Sequence, residues 1–151
     1  MAEFRPGASP LFLRDEDLRQ GLDMLFFAWR DLAAEADPAL EQEGLGRAHH
    51  RALYFIGRRP GLAVGDLMAT LGITKQSLGR VVKELTAKGL IAQSVGTEDR
   101  RERRLSLTEA GTALEQALSA PQRALMAGAY RAAGAEAVAG FRKVLAGLSR
   151  R

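Results

Sequence analysis

The apolar and polar positions between Ile73 and Gly111 follow two different periods along the chain, and they predict a helix followed by a β-hairpin. Apolar residues recur at helical spacing on one side of the first segment, namely Leu78, Val81, Val82 and Leu85. The other side is polar and net basic, and it is formed by Thr74, Lys75, Gln76, Gly79, Arg80 and Lys83. Such a helix can pack on a core with one face and offer the other face to an anionic partner.

The segment after Gly89 predicts a small hairpin. The run from Leu90 to Val95 favours a strand, and a second alternating run places Leu105 and Leu107 on one face. The loop predicted between the runs holds four arginines, Arg100, Arg101, Arg103 and Arg104. A small helix followed by a basic hairpin is the outline of a winged helix, in which the helix enters the major groove of DNA and the hairpin reaches the backbone or minor groove.

The segments before this unit predict further helices. Residues 1–12 are expected to be a loose arm, because prolines and a glycine oppose regular structure there. Acidic residues favour a helix start near Asp15, and an apolar stripe continues to Leu32. The stripe has more apolar surface than a lone surface helix needs, so either other helices of the chain or a second subunit should cover it. The segment from Pro38 to Gly46 is expected to be a loop.

The helix over Leu62–Leu71 and the basic helix that follows it should form a helix-turn-helix. A helix is predicted over Arg47–Arg58, and another over Leu62–Leu71 ends at Gly72. Thr74 is placed to cap the helix that follows it, as in DNA-reading helix pairs.

Beyond the hairpin, Thr108 is predicted to cap a helix that starts at Glu109, with Leu114, Ala117 and Leu118 on one side. Pro121 either kinks that helix or starts a new one. A final helix is expected from Ala135 to Leu148.

Charge and composition narrow the range of possible binding partners. Residues 1–45 carry a net charge of −6, residues 46–104 carry +7 and residues 105–151 carry +3, so the positive field lies on the proposed DNA-reading unit. The chain has no cysteine, which excludes disulfides and thiolate metal sites. The apolar run from Met24 to Trp29 is too short to span a bilayer, and the N-terminal residues lack a signal-peptide pattern. The protein is expected to be cytoplasmic.

The order of elements and two segments resemble the MarR family of bacterial transcription regulators. These segments are TKQSLGRVVKELTAKGLI and DRRERRLSLTEAG. The wing motif of the family is matched by Asp99, Arg101, Leu107, Thr108 and Gly111. The KQSLGR helix is also similar to the PetP-like branch of that family found in alphaproteobacteria.

The resemblance implies a mainly α-helical chain with a small β-wing. It also implies a homodimer, built from helices at both chain ends, that binds a pseudo-palindromic operator in double-stranded DNA, usually as a repressor. The expected division is an arm and dimerisation helix over residues 1–45, a winged helix-turn-helix over 46–108, and dimerisation helices over 109–151. No cofactor is expected.

The resemblance also implies roles for individual residues. The recognition-helix candidates are Thr74, Lys75, Gln76, Ser77, Arg80 and Lys83. Gln76 can pair with adenine, and Lys75 or Arg80 with guanine. Arg101 resembles the arginine that enters a narrow minor groove, while Arg100, Arg103 and Arg104 are phosphate candidates. Asp99 is expected to hold a wing arginine in place rather than touch DNA.

The sensing function is less clear from the sequence. Relatives of this kind often release DNA when a small anionic or aromatic effector binds. The candidates for such a pocket are Phe26, Trp29, Arg51, Tyr54 and Phe55, although their composition favours a simple core role over a pocket. His49 and His50 are adjacent, and neighbouring helix residues point about 100° apart, so they cannot easily share one metal ion. They are expected to be ordinary helix residues, with no metal site.

Two other functions stay open. A non-specific DNA-architectural protein would explain the basic charge only. A protein-interaction module that has lost DNA binding would be favoured if Arg80 and Arg101 were absent, but both are present. An enzyme needs a catalytic constellation, and the sequence contains no Ser-His-Asp ordering, phosphate-binding glycine loop or carboxylate cluster.

Overall fold

The computed structural model describes residues 10–150 and divides the chain into two compact units, with the boundary between Ala34 and Glu35. In the described part of the N-terminal unit, a short 3₁₀ helix at Leu11–Leu13 precedes helix α1, Asp15–Ala34. The expectation of a loose arm was therefore wrong for residues 11 and 12, and its first nine positions lie outside the described residues. Three acidic residues in the first turn of α1 favour its start through the helix dipole.

The second unit holds the remaining elements. These are α2 (Asp37–Gln42), α3 (Arg47–Arg58), β1 (Leu62–Ala63), α4 (Val64–Leu71), α5 (Lys75–Ala87), β2 (Ile91–Val95), β3 (Arg103–Leu107), α6 (Glu109–Ala133) and α7 (Ala135–Leu148). The strands form one antiparallel sheet in the order β1-β3-β2. The prediction of a mainly α-helical fold with a small β-wing is confirmed.

Helix α2 corrects the first part of the loop predicted from Pro38 to Gly46, while residues 43–46 lie outside any helix. Pro38 lies in the first turn of this helix, where proline has no donor to lose, and Asp37 adds a favourable charge there. Leu40 and Leu45 are buried in the core of the second unit. Burial of these two side chains stabilises the short helix, although two glycines follow it closely in the sequence.

Strand β1 corrects the start of the helix predicted over Leu62–Leu71. Leu62 pairs with Leu105 and Ala63 pairs with Arg104, so two residues of the expected helix belong to the sheet. Arg103 and Arg104 are likewise strand residues of β3 and not loop residues as predicted. The two changes have different causes, since β1 forms by pairing with β3, whereas Arg103 and Arg104 extend the ladder of the hairpin by pairing with Val95 and Ser94 of β2.

The hydrophobic core joins helices α3, α4, α5 and α6 to the sheet. Fully buried members come from α3, α4, α5, β3 and α6, namely Leu53, Ile56, Leu67, Leu78, Leu85, Leu105 and Leu118. Leu78, Val81, Val82 and Leu85 are all buried, which confirms the apolar face predicted for α5. On α6, Leu118 is buried, Leu114 is half-buried and Ala117 is exposed. Helix α6 continues through Pro121.

Candidate nucleic-acid interface

The first turn of α5 is built by a glycine turn and a threonine cap. Gly72 ends α4 with φ +63°, a left-handed conformation that glycine adopts at little cost. Thr74 then takes an extended conformation, and its Oγ1 accepts a hydrogen bond from the backbone N–H of Ser77 at 3.1 Å. Thr74 also donates through its hydroxyl to Ser77 Oγ at 2.9 Å. The two hydroxyl residues predicted to contact DNA therefore also fix the start of the helix.

The remaining predicted residues of α5 form a single exposed basic and amide face. Lys75, Gln76, Arg80 and Lys83 are exposed, whereas Ser77 is half-buried. Lys75 is the first residue of the helix, where a positive charge opposes the helix dipole. A cation at this position costs the isolated fold some stability, and an anionic partner at the helix N-terminus would reverse that cost.

The tip of the wing is closed by backbone hydrogen bonds and by Asp99. The Gly96 N–H donates to Glu102 O at 2.9 Å, and the Glu102 N–H donates to Asp99 O at 3.1 Å. Asp99 Oδ1 accepts from the backbone N–H of Arg101 at 2.9 Å. Asp99 thus orders the chain at Arg101, but through its backbone and not through an arginine guanidinium as expected. The side chains of Arg100 and Arg101 are exposed at this tip.

The four wing arginines differ in their surroundings. Arg103 is exposed on β3, next to Val95 across the hairpin. Arg104 is half-buried, and its Nη1 donates to Gly61 O at 3.0 Å while its Nη2 donates to Glu102 Oε2 at 3.0 Å. Its Nε is buried without a hydrogen-bond partner. The guanidinium of Arg104 therefore links the wing to the turn before β1, which makes it a weaker phosphate candidate than the other three.

The five residues proposed for an effector pocket lie on two helices. Phe26 and Trp29 are on α1, with 63% and 54% of their surface exposed. Tyr54 and Phe55 on α3 form an edge-to-face pair with ring centroids 5.1 Å apart, and Arg51 is exposed one turn before them. Core packing does not account for Phe26 or Trp29 in the single chain. The pocket itself stays a prediction.

A separate cavity of about 220 Å³ lies in the second unit, between α3, β3 and α6. It is lined by Ile56, Gly57, Pro60, Ser106, Leu107, Thr112, Glu115 and Gln116. None of the residues proposed for the effector pocket lines this cavity.

The two histidines of α3 each have a hydrogen-bonding role within the fold. His49 Nδ1 accepts from the Gly46 N–H at 3.0 Å, and its Nε2 lies 2.7 Å from Glu84 Oε2. His50 Nε2 lies 3.1 Å from Ser119 Oγ. Within residues 10–150, no three histidine or carboxylate side chains are grouped as a metal would require. No helix in the described part of the chain is long and apolar enough to cross a membrane.

The chain is similar to known DNA-binding regulators. Residues 43–102 match the family model described as MarR family. Over 139 residues the chain is 55% identical to the HTH-type transcriptional regulator PetP of Rhodobacter capsulatus, covering 92% of this chain and 84% of that protein.

Solved structures agree on the fold. The structure of NadR in complex with 4-hydroxyphenylacetate covers 99% of both chains, with a TM-score of 0.74 and 21% identity. The structure of Staphylococcus aureus MepR in its DNA-binding conformation covers 85% of this chain and 98% of that chain, with a TM-score of 0.69 and 21% identity. At this identity the likeness concerns the fold alone.

The similarity to PetP covers most of the chain and so includes the helices on both sides of the winged helix-turn-helix. The resemblance carried by Asp99, Arg101, Leu107, Thr108 and Gly111 is confirmed. The matched family and this relative are transcription regulators and not enzymes. The chain therefore belongs to the MarR family of DNA-binding transcriptional regulators.

Proposed function

We propose that this regulator represses transcription in the cytoplasm by binding a pseudo-palindromic operator as a homodimer. The observation that carries the proposal is the exposed basic and amide face of α5, which the same chain combines with a wing bearing exposed arginines. In a symmetric dimer the two α5 helices would enter successive major grooves about one helical turn (~10 bp) apart.

Base recognition would come from α5 and backbone recognition from the wing. Gln76 has the amide geometry to bond adenine, and Lys75 or Arg80 can donate to guanine N7 and O6. Lys83, Thr74 and Ser77 are candidates for phosphate contacts. Arg101, at the tip ordered by Asp99, would enter the minor groove, where a narrow A·T-rich groove has the most negative potential. Arg100 and Arg103 would neutralise phosphates beside it.

The dimer proposal is supported by apolar side chains that stay exposed in the single chain. On α1 these include Leu18, Leu22, Leu25, Phe26 and Trp29, with exposed fractions from 43% to 68%. On α7 they are Phe141, Val144, Leu145 and Leu148. Several exposed apolar side chains on one helix mark an interaction site, and a second copy of the chain would cover those of α1 and those of α7. Sedimentation equilibrium should give a dimer, and Leu22→Asp should shift the protein toward the monomer.

The proposal also includes release of the regulator from DNA when a small anionic aromatic effector binds. Arg51, Tyr54 and Phe55 share one face of α3 at helical spacing, which combines a cation with two aromatic rings. NadR, a protein of the same fold, was solved with 4-hydroxyphenylacetate bound. Such an effector should lower the DNA affinity of this chain if it binds at that face. Phe26 and Trp29 can take part in the pocket or in the dimer contact.

The test begins by selecting binding sites from a pool of random DNA duplexes. Fluorescence anisotropy then compares the selected duplex with a scrambled duplex of the same composition, across a series of salt concentrations. Strong preference for a two-fold symmetric selected site, with a steep salt slope, supports the proposal. Equal affinity for both duplexes would favour a DNA-architectural protein, and no binding to either would favour a protein-interaction module. Repression itself is tested by placing the selected site over the promoter of a reporter gene.

A further inference from the structure

The C-terminal half of α5 is attached to the junction between α2 and α3 by two polar contacts. His49, in the first turn of α3, places Nε2 at 2.7 Å from Glu84 Oε2 on α5. Lys88, the residue that ends α5, donates through Nζ to Glu43 O at 3.0 Å. The base-reading candidates lie in the opposite half of the same helix. The contacts therefore act on the half of α5 that carries none of the base-reading candidates.

The direction of the His49 bond follows from its second contact. Nδ1 accepts a hydrogen bond from the Gly46 N–H at 3.0 Å, so the ring proton lies on Nε2. Nε2 therefore donates to the Glu84 carboxylate, which makes a charge-assisted bond. Only 14% of the His49 side chain is exposed, so water competes little for this ring. One imidazole thus joins the start of α3 to the recognition helix.

The junction that holds α5 is itself fixed. Arg47 donates from Nε and Nη2 to the two carboxylate oxygens of Asp37 at 2.9 and 2.7 Å, which joins the first residues of α2 and α3. Hydrogen bonding to Arg47 holds the pKa of Asp37 below its usual value. Leu40 and Leu45 are buried beneath the same segment. A fixed junction can define the orientation of a helix bonded to it.

We propose that His49 is a positioning residue for DNA recognition, which acts through Glu84 to set the orientation of α5, with Lys88 as a second point of attachment. This inference rests on the proposed function. Base-edge hydrogen bonds tolerate only small errors in distance and angle, whereas flexible lysine and arginine side chains can follow a displaced phosphate. Loss of the His49 contact should therefore weaken binding to the selected duplex more than binding to a scrambled one.

Two substitutions separate this role from simple capping of α3. Asparagine at position 49 places its amide oxygen near the position of Nδ1 and keeps the Gly46 bond, but it is too short to reach Glu84. Glutamine places its amide nitrogen near the position of Nε2 and can still donate to Glu84. We expect His49→Asn to lower affinity for the selected duplex by about 3- to 30-fold and His49→Gln to stay close to wild type. If His49 only capped α3, His49→Gln would lose more stability and more DNA affinity than His49→Asn.

A double-mutant cycle tests whether the effect passes through Glu84. Glu84→Ala removes the acceptor, so His49→Asn should cause no further loss of specific affinity in that background. Removing a negative charge from α5 also strengthens binding to any DNA, and the scrambled duplex measures that contribution. Thermal unfolding of each variant shows whether it is folded at the temperature of the binding assay.

The outcomes are distinct. If the wild type prefers the selected duplex and His49→Asn binds it equally well, the inference is wrong and the proposed function stands. If His49→Gln loses as much affinity for the selected duplex as His49→Asn while both remain folded, the effect does not depend on the bond to Glu84. The inference is then also wrong. If the wild type shows no preference for the selected duplex, the proposed function fails first, and the inference fails with it.

Discussion

His50 Nε2 and Ser119 Oγ lie 3.1 Å apart and join α3 to α6 inside the second unit, across 69 positions of the chain. The Ser119 hydroxyl donates to Glu115 Oε1 at 2.7 Å, so its oxygen accepts from the His50 ring. Both residues are buried, with 7% and 2% of their surface exposed. The His50 ring therefore donates through Nε2 and is held in the tautomer that has its proton there.

Stability should decrease with acid because of His50. Burial lowers the pKa of His50 below its ordinary value of about 6.5, Glu115 opposes this shift, and Arg51 adds to it. The unfolded chain therefore binds more protons than the folded chain as the pH falls below about 6.5, and the free energy of unfolding decreases by up to about 1.4 kcal/mol per pH unit from this group. Urea unfolding at pH 7.5 and 5.5 measures the change. His50→Gln should have a smaller decrease, and an equal decrease in both proteins would exclude this ring as its source.

Arg101→Ala should weaken binding to a selected operator by about 1–3 kcal/mol and reduce the salt slope, since a minor-groove contact and counterion release are lost together. Anisotropy across a salt series measures both quantities. Arg123→Ala is the matched control, because it removes the same charge from an exposed position on α6, away from the wing. Unchanged affinity and slope in a folded Arg101→Ala protein would remove this residue from the interface.

Substitutions of Arg103 and Arg104, which are adjacent on β3, should have different effects on stability and on DNA binding. Arg104→Ala should lower the free energy of unfolding by about 1–2 kcal/mol, because it leaves Gly61 O and the Glu102 carboxylate without their donor. Arg103→Ala should change stability by less than about 0.5 kcal/mol and should weaken DNA binding with a lower salt slope. Urea unfolding and anisotropy on the same two variants check both expectations. The assignment of Arg104 to the fold would be wrong if its loss changed the salt slope alone.

Gly111 should not tolerate a methyl group. A Cβ at this position would overlap the backbone carbonyl oxygen of Leu90, which accepts a hydrogen bond from the Thr108 N–H. Gly111→Ala should therefore lower the free energy of unfolding by about 1–3 kcal/mol. In the same helix, a Cβ at Gly128 meets no atom within 4 Å, so Gly128→Ala should raise stability by about 0.5–1 kcal/mol through helix propensity. Similar effects of the two substitutions in urea unfolding would contradict the close contact at Leu90.

The sequence by itself determined the elements whose signals are local. Helix α3 spans Arg47–Arg58 and α7 spans Ala135–Leu148, as periodicity and flanking glycines predicted. Caps at Thr74 and Thr108 are also visible in the sequence, because a cap needs only residues within one turn. The wing motif identified the family for the same reason, since its residues are adjacent along the chain. The exposed face of α5 followed from the burial of its opposite face.

Tertiary structure decided the features that join distant parts of the chain. Strand β1 is only two residues long and exists through its pairing with Leu105 and Arg104, more than forty positions away. Arg104 pairs with Ala63 in that strand and with Ser94 across the hairpin, and its guanidinium donates to Gly61 and Glu102. Contacts of His49 with Glu84 and of His50 with Ser119 leave no periodic trace in either segment. A local pattern records which residues share a face, but the partner of a buried polar group is fixed only when packing brings the two segments together.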